Sequence, residues 1–292
     1  MAIELKEKNK SYNNKFFEMN AISDFELRDI FECGQCFRWN KEEDGSYTGV
    51  IKSGVINVKK EDEKIVFSGQ TSEDLEKVCK KYFDLDRNYS EIKEIISIDD
   101  ENMKKAIKYG NGIRILNQDP WEMLISYIIS AANNIPRISK TIENLARKFG
   151  KTVNMNGNTY YMFPTPEELE KATMEDLREC NLGFRDKYVY NATRMVLDGT
   201  LNLEELGQLQ YESAKKQLMQ VPGVGAKVAD CILLFSMGKS EAFPVDTWIK
   251  KIMNELYVDS ANVNRINQYA AERFGKYAGI AQQYLFYYKR EN

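Results

Sequence analysis

The chain contains no histidine. That absence removes serine–histidine relays and any zinc site that needs imidazole. Cysteine is also scarce: Cys33, Cys36, Cys79, Cys180 and Cys231 are an odd number in 292 residues, which favours free thiols over a disulfide framework and predicts a reducing compartment, by default the cytoplasm. Cys33 and Cys36 form a single CxxC; with no second pair and no histidine it reads as packing, and no metal is implied. No apolar run is long enough to span a bilayer, and no signal segment or low-complexity tract stands out, so no membrane partner is expected. There is no excess of positive charge either. The net charge of −3 is an obstacle to nucleic-acid binding, where phosphate contacts demand lysine and arginine.

The charge is, however, unevenly placed. Residues 61–101 hold thirteen acidic and six basic side chains, whereas Ala214 to Lys251 holds six lysines against three acids. Arg137 to Lys151 adds five basic residues against Glu143, and Lys289 and Arg290 close a segment with no acid. A modest basic face is therefore available, although a charge run is more often a solvated surface.

The rest is ordinary globular material, 43% hydrophobic and 29% charged, long enough for about two domains. The stretches CFRWN, SYTGVIK, VINVKK and KIVFSG alternate as strands between turn signals and predict an antiparallel sheet. After Ser72 the spacing turns helical: SEDLEKVCKKYF opens on a serine, and the apolar run after Asp119-Pro120 predicts a buried central helix. Further helices are expected at about 136–149, 166–178, 186–198, 211–220, 225–237, 246–257, 262–274 and 277–290, with strands scarce throughout. The fold class is α+β, mostly helical. An N-terminal antiparallel sheet domain (1–102) should precede a helical body (103–292).

The most informative segment is Leu218 to Asp246, LMQVPGVGAKVADCILLFSMGKSEAFPVD. VPGVG lies between two helical patterns, and Gly223 and Gly225 allow the tight turn of a helix–hairpin–helix over about 214–237. The amides of Gly223, Val224 and Gly225 and the following helix N-terminus can face a phosphate. Lys227 falls in the first turn of that helix, where the dipole and partial burial disfavour the ammonium and favour a nucleophilic amine. Asp246 follows Pro-Val at the start of another helix. Alone, Asp246 reads as an N-cap and Lys227 as a surface lysine; the hairpin, the lysine and PVD together point to DNA chemistry.

On these residues the chain resembles the 8-oxoguanine DNA glycosylase (Ogg) family of helix–hairpin–helix DNA glycosylases. GQCFRW (Gly34 to Trp39), NNIPRI (Asn133 to Ile138), LGFRDKY (Leu182 to Tyr188) and YAGIAQQYLF (Tyr277 to Phe286) extend the likeness over nearly the whole chain. The resemblance implies a bifunctional glycosylase and AP lyase acting on duplex DNA, in which Lys227 forms a Schiff base with the sugar and Asp246 stabilises the charge developing there. It makes Gly34 the backbone acceptor that tells 8-oxoguanine from guanine, Phe286 and Cys231 the faces of a base sandwich, and Gln282 the reader of the Watson–Crick edge. Without it, Gly34 reads as a strand bulge, Phe286 and Cys231 as core, and Gln282 as an exposed helical residue.

The resemblance further places Arg137 and Arg185 on the opposite cytosine, Phe184 and Asn133 at the wedge, and Trp248 beside a phosphate, although either arginine alone could be a surface residue. Ala132, Phe184 and Trp248 stand where animal members have asparagine, tyrosine and histidine, so gap filling should be weaker and opposite-base selectivity looser. No cysteine follows Cys231, which excludes the iron–sulfur cluster of endonuclease III relatives. No cofactor is required; a structural monovalent or divalent cation at the hairpin is the one addition the resemblance allows. The expectation is a monomer bound to nucleoid DNA. Two other readings stand beside it: a helix–hairpin–helix glycosylase for another lesion, and a non-catalytic DNA-binding module.

Overall fold

The structure is a computed structural model that describes residues 13–259 and 262–291. Five antiparallel strands, β1 (Asn13–Asn20), β2 (Trp39–Lys41), β3 (Tyr47–Ile51), β4 (Gly54–Glu61) and β5 (Lys64–Thr71), form one sheet in the order β1-β5-β4-β3-β2. Tight turns between β3, β4 and β5 make sequence neighbours into sheet neighbours, with Ile51 opposite Gly54 and Glu61 opposite Lys64. Two helices, α1 (Leu27–Glu32) and α2 (Leu75–Tyr82), cover one face. An aromatic cluster fills the space between: Phe31 stacks on Trp39 and Tyr47, and Phe83 packs against Phe25 and Phe67.

The helical body follows as α3 (Tyr89–Ser97), α4 (Glu101–Tyr109), α5 (Pro120–Ser130), α6 (Ile135–Phe149), α7 (Pro166–Leu169), α8 (Met174–Glu179), α9 (Asp186–Leu197) and α10 (Leu203–Gln208). Then come α11 (Tyr211–Leu218), α12 (Ala226–Ser236), α13 (Thr247–Leu256), α14 (Val263–Phe274) and α15 (Ala278–Glu291). Helix α5 is buried from Trp121 to Ile129, with Asp119 capping its start and Pro120 in its first turn, as its apolar run predicts. It touches α6, α9 and α12.

Several expectations need correction. β1 was not foreseen, and neither was the hairpin of β6 (Thr152–Met155) and β7 (Asn158–Tyr161), whose turn uses Asn156 and Gly157 at positive φ. CFRWN is a strand only from Trp39, so Gly34 marks no strand bulge: it lies in the turn after α1 with φ +89°. The helix expected at 166–178 is two helices, because Thr165 and Thr173 each close a capping box and start a helix of their own. Asp74, and not Ser72, caps α2.

Two large apolar cores meet at a polar seam, and a third, smaller cluster joins Val50 and Val55 of the sheet to Val153, Met155 and Met162. One large core holds the sheet, α1, α2 and Leu116; the other holds the helices from Tyr89 onward together with Cys33. At the junction Arg114, 1% exposed, donates to the carbonyls of Phe83, Asp84, Arg87 and Asp24 and lies 4.3 Å from the centre of the Tyr89 ring. A buried cation held by four carbonyls satisfies donors that would otherwise be costly to bury.

Candidate active site

Helices α11 and α12 are joined by a hairpin in which Val224 N–H donates to Val221 O (3.0 Å). Gly223 has φ +88°, and a Cβ there would lie 2.7 Å from the Tyr188 ring, so glycine is demanded twice, by angle and by space. Gly225 is the residue before α12 and supplies no side-chain cap; the first-turn amides of α12 are left to other acceptors. Lys227 lies in that first turn, half-buried, with Nζ 5.5 Å from the centre of the Tyr127 ring. No carboxylate approaches Lys227 Nζ within 4.0 Å among the described residues, so its amine is in no ion pair.

One helical turn on, Cys231 is 4% exposed. Burial raises its thiol to about 11, with the Lys227 charge pulling the other way and Asp230, then Asp246, adding to the rise. Asp246 caps α13, its Oδ1 accepting from Ile249 N–H at 2.8 Å. The N-cap role is therefore real, and the second carboxylate oxygen is left for other work.

Helix α15 lies against the turn after α1. Phe286 is half-buried, and a Cβ on Gly34 would lie 3.3 Å from its ring, so the α1 turn and the aromatic face are in contact. Gln282 is 6% exposed, not the exposed helical glutamine that its sequence alone allows, and its Oε1 has no hydrogen-bond partner among the described residues. A buried amide oxygen without a donor is costly unless a ligand provides one. Lys227, Cys231, Gln282, Phe286 and Gly34 thus come from three separate elements: α12, α15 and the turn after α1.

A second group lies where the α5–α6 turn meets the short 3-10 turn Gly183–Arg185. Arg185, 8% exposed, donates to the carbonyls of Ala131, Ala132 and Leu182, and stacks on Phe184 at 4.4 Å. Burial, then the nearby Arg137 charge, lowers the Arg185 guanidinium from its ordinary value. Arg137 is exposed in the first turn of α6, and Asn133 donates to Ile129 O at 3.2 Å. Ala132 has φ +49°, a conformation that alanine rarely adopts. Phe184, Trp248, Met219 and Ile135 are large apolar side chains exposed at 60%, 50%, 45% and 45%, in or beside the turns and hairpin just described. Phe184 and Trp248 are among the residues the resemblance singles out; Met219 and Ile135 are not disclosed by the sequence pattern, because their exposure depends on which helix faces remain uncovered.

Among the described residues no cluster of three or more histidine, cysteine, aspartate or glutamate side chains could hold a metal ion, and no helix is long and apolar enough to cross a membrane. Two family models cover most of the chain: 8-oxoguanine DNA glycosylase, N-terminal domain, over residues 19–124, and HhH-GPD superfamily base excision DNA repair protein, over residues 125–276. The probable N-glycosylase/DNA lyase of Methanothermobacter thermautotrophicus is 32% identical over 67% of this chain and 69% of its own. The N-glycosylase/DNA lyase of Saccharomyces cerevisiae is 30% identical over 89% and 82% respectively. The crystal structure of Clostridium acetobutylicum 8-oxoguanine glycosylase/lyase, bound to double-stranded DNA with cytosine opposite 8-oxoguanine, superposes with a TM-score of 0.90 at 45% identity, covering 97% of this chain and 99% of that one.

Proposed function

The chain belongs to the 8-oxoguanine DNA glycosylase family of helix–hairpin–helix repair proteins, and we propose that Lys227 and Asp246 carry its chemistry on a base held by Gly34, Cys231, Gln282 and Phe286. It is a bifunctional enzyme, a DNA N-glycosylase with AP lyase activity. The observation that carries the residue assignment is the buried, unpartnered Oε1 of Gln282, in the same α15 wall as Phe286 and across from the Gly34 turn.

In this scheme the neutral amine of Lys227 adds to C1′ of the flipped nucleotide as the C1′–N9 bond breaks, and the electron pair leaves with the base, which takes up a proton. Asp246 stabilises the positive character that C1′ develops in between. Ring opening gives a protonated Schiff base; loss of a proton from C2′ then expels the 3′ phosphate and nicks the strand. Side chains alone supply these steps. The hairpin amides of Gly223, Val224 and Gly225 grip the backbone, with Trp248 at a neighbouring phosphate. Phe184 and Asn133 fill the stack, and Arg137, exposed and with no side-chain partner among the described residues, reaches the opposite base. Arg185 acts beside it through the Ala131–Ala132 turn that it holds. One chain supplies every group, so a monomer on nucleoid DNA in the cytoplasm suffices.

The test is borohydride trapping on an 8-oxoguanine duplex. Wild-type protein should be captured covalently and release the base; Lys227→Gln should do neither while still binding the duplex, because the hairpin amides hold the phosphate. Excision at the wild-type rate by Lys227→Gln would remove Lys227 as the nucleophile.

A further inference from the structure

Helix α1 ends at Glu32, and the last carbonyls of any helix lack partners within it. Here two of them, the carbonyls of Glu32 and of the capping Cys33, are taken up by α15, across 250 residues of sequence. Gln283, 3% exposed, donates from Nε2 to Cys33 O at 2.6 Å, and Arg290 donates from Nη2 to Glu32 O. On the other side of Gly34, the fully buried Gln35 donates from Nε2 to Ile30 O (2.9 Å) and Arg114 O (2.8 Å), while its Oε1 accepts from Leu116 N–H (2.8 Å). Gln118 donates to Gln35 O at 2.8 Å. Of the four consecutive carbonyls from Glu32 to Gln35, only that of Gly34 accepts no hydrogen bond among the described residues.

We infer that Gln283 is a specificity-determining positioning residue: by holding Cys33 O it fixes the peptide before Gly34 and keeps the Gly34 carbonyl turned to the lesion's N7–H. The proposal rests on the pocket reading above. Gly34 has no Cβ and sits at φ +89°, so its own conformational preference does not fix where its carbonyl points. The neighbours must fix it. Gln283 does so from the helix that presents Gln282 and Phe286, one residue from the amide that reads the base edge. A change in the set of α15 against α1 would move the carbonyl and the edge reader together, so one helix holds both contacts in register.

The consequence separates base reading from sugar chemistry. An abasic site has no N7–H to recognise, yet its Schiff base and elimination use Lys227 in the same way. Full-length Gln283→Met keeps the side chain's length and removes the donor. Its single-turnover excision of 8-oxoguanine should fall about tenfold or more, the scale on which one misplaced hydrogen bond changes a rate. Strand nicking at a preformed abasic site, normalised to the fraction trapped by borohydride, should stay within about twofold of wild type. Should Gln283→Met not fold, Arg290→Met removes the neighbouring clamp from a less buried position and is read in the same way. Equal losses on both DNAs, or no loss on either, overturn the role of Gln283. Failure of the wild type itself to excise 8-oxoguanine would instead sink the pocket reading on which it rests.

Discussion

Asp246 shows why residue identity at a helix start is hard to interpret from one observation. Its Oδ1 accepts from Ile249 N–H and so does structural work that asparagine does about as well. Its charge is a separate matter. Asp246→Asn should keep the unfolding free energy within about 0.5 kcal/mol of wild type while base excision slows about a hundredfold or more, as expected for removing charge stabilisation at C1′. A collapsed melting curve with normal turnover per folded molecule would reduce Asp246 to a cap. Glu122 poses the opposite case, a carboxyl with no place in the chemistry and a marked shift. Burial raises it from 4.5 to about 7, against the pull of Arg38 at 3.9 Å. A carboxyl raised in the folded state binds its proton more tightly there than in the unfolded chain, so its contribution is present below about 4.5 and is lost as pH rises toward 7. Thermal stability should therefore decline from pH 5 to 8 by at most about 3 kcal/mol, and Glu122→Gln should flatten the profile. A wild-type profile that rises over this range would contradict the assignment.

Among the elements, the α5–α6 turn carries the clearest strain. Ala132 is held at φ +49° with its carbonyl and that of Ala131 bound by Arg185. Asparagine tolerates that region better than alanine, so Ala132→Asn should raise stability by about 0.5–1 kcal/mol. It also returns a polar group to the gap left by the flipped base. With alanine there, fewer contacts reject a purine, so the wild type should prefer cytosine opposite the lesion yet excise opposite adenine at a measurable rate; Ala132→Asn should narrow that tolerance. Single-turnover excision on the four opposite-base duplexes decides it. Strict cytosine dependence in the wild type would remove the argument. The same turn illustrates what a sequence discloses. The hairpin, α5 and most helix limits were legible because Gly, Pro, Asp and apolar spacing act locally. The split between α7 and α8 was also written locally, in two Thr capping boxes, and could have been read. The strand pairing of β1 with β5, more than forty residues away, could not. Nor could the contact of the Gly34 turn with Phe286 and Gln283, which forms only through packing of α15 against the end of α1, some 250 residues away; for the proposed pocket residues the family motifs, rather than periodicity, carried the information.

For the whole molecule, charge is the constraint. On the reading proposed above, a chain of net charge −3 holds DNA through local arrangement, with the hairpin's amides and the exposed Phe184, Trp248, Met219 and Ile135 beside its local basic segments. Backbone amides and apolar contacts displace no condensed counterions, so binding should depend on salt less steeply than for a protein with six to ten lysine or arginine contacts. Between 50 and 200 mM salt the Kd of Lys227→Gln for lesion duplex should weaken by less than about a thousandfold. Anisotropy titrations measure this, and a steeper fall would mean that the basic residues of 137–151 and 214–251 carry the phosphate contacts instead.

The seam between the two cores bears on how the molecule would fail. The Gly34 turn belongs to the sheet side through Gln35 and to the helical side through Gln283, while the hairpin and Lys227 lie wholly within the helical core. With the roles proposed for Gly34 and Lys227, a partial opening that parts the sheet from the helices would detach the gauge before it touches the blade. On warming, such a molecule would go on cutting abasic sites after it had lost the ability to tell a damaged guanine from an intact one.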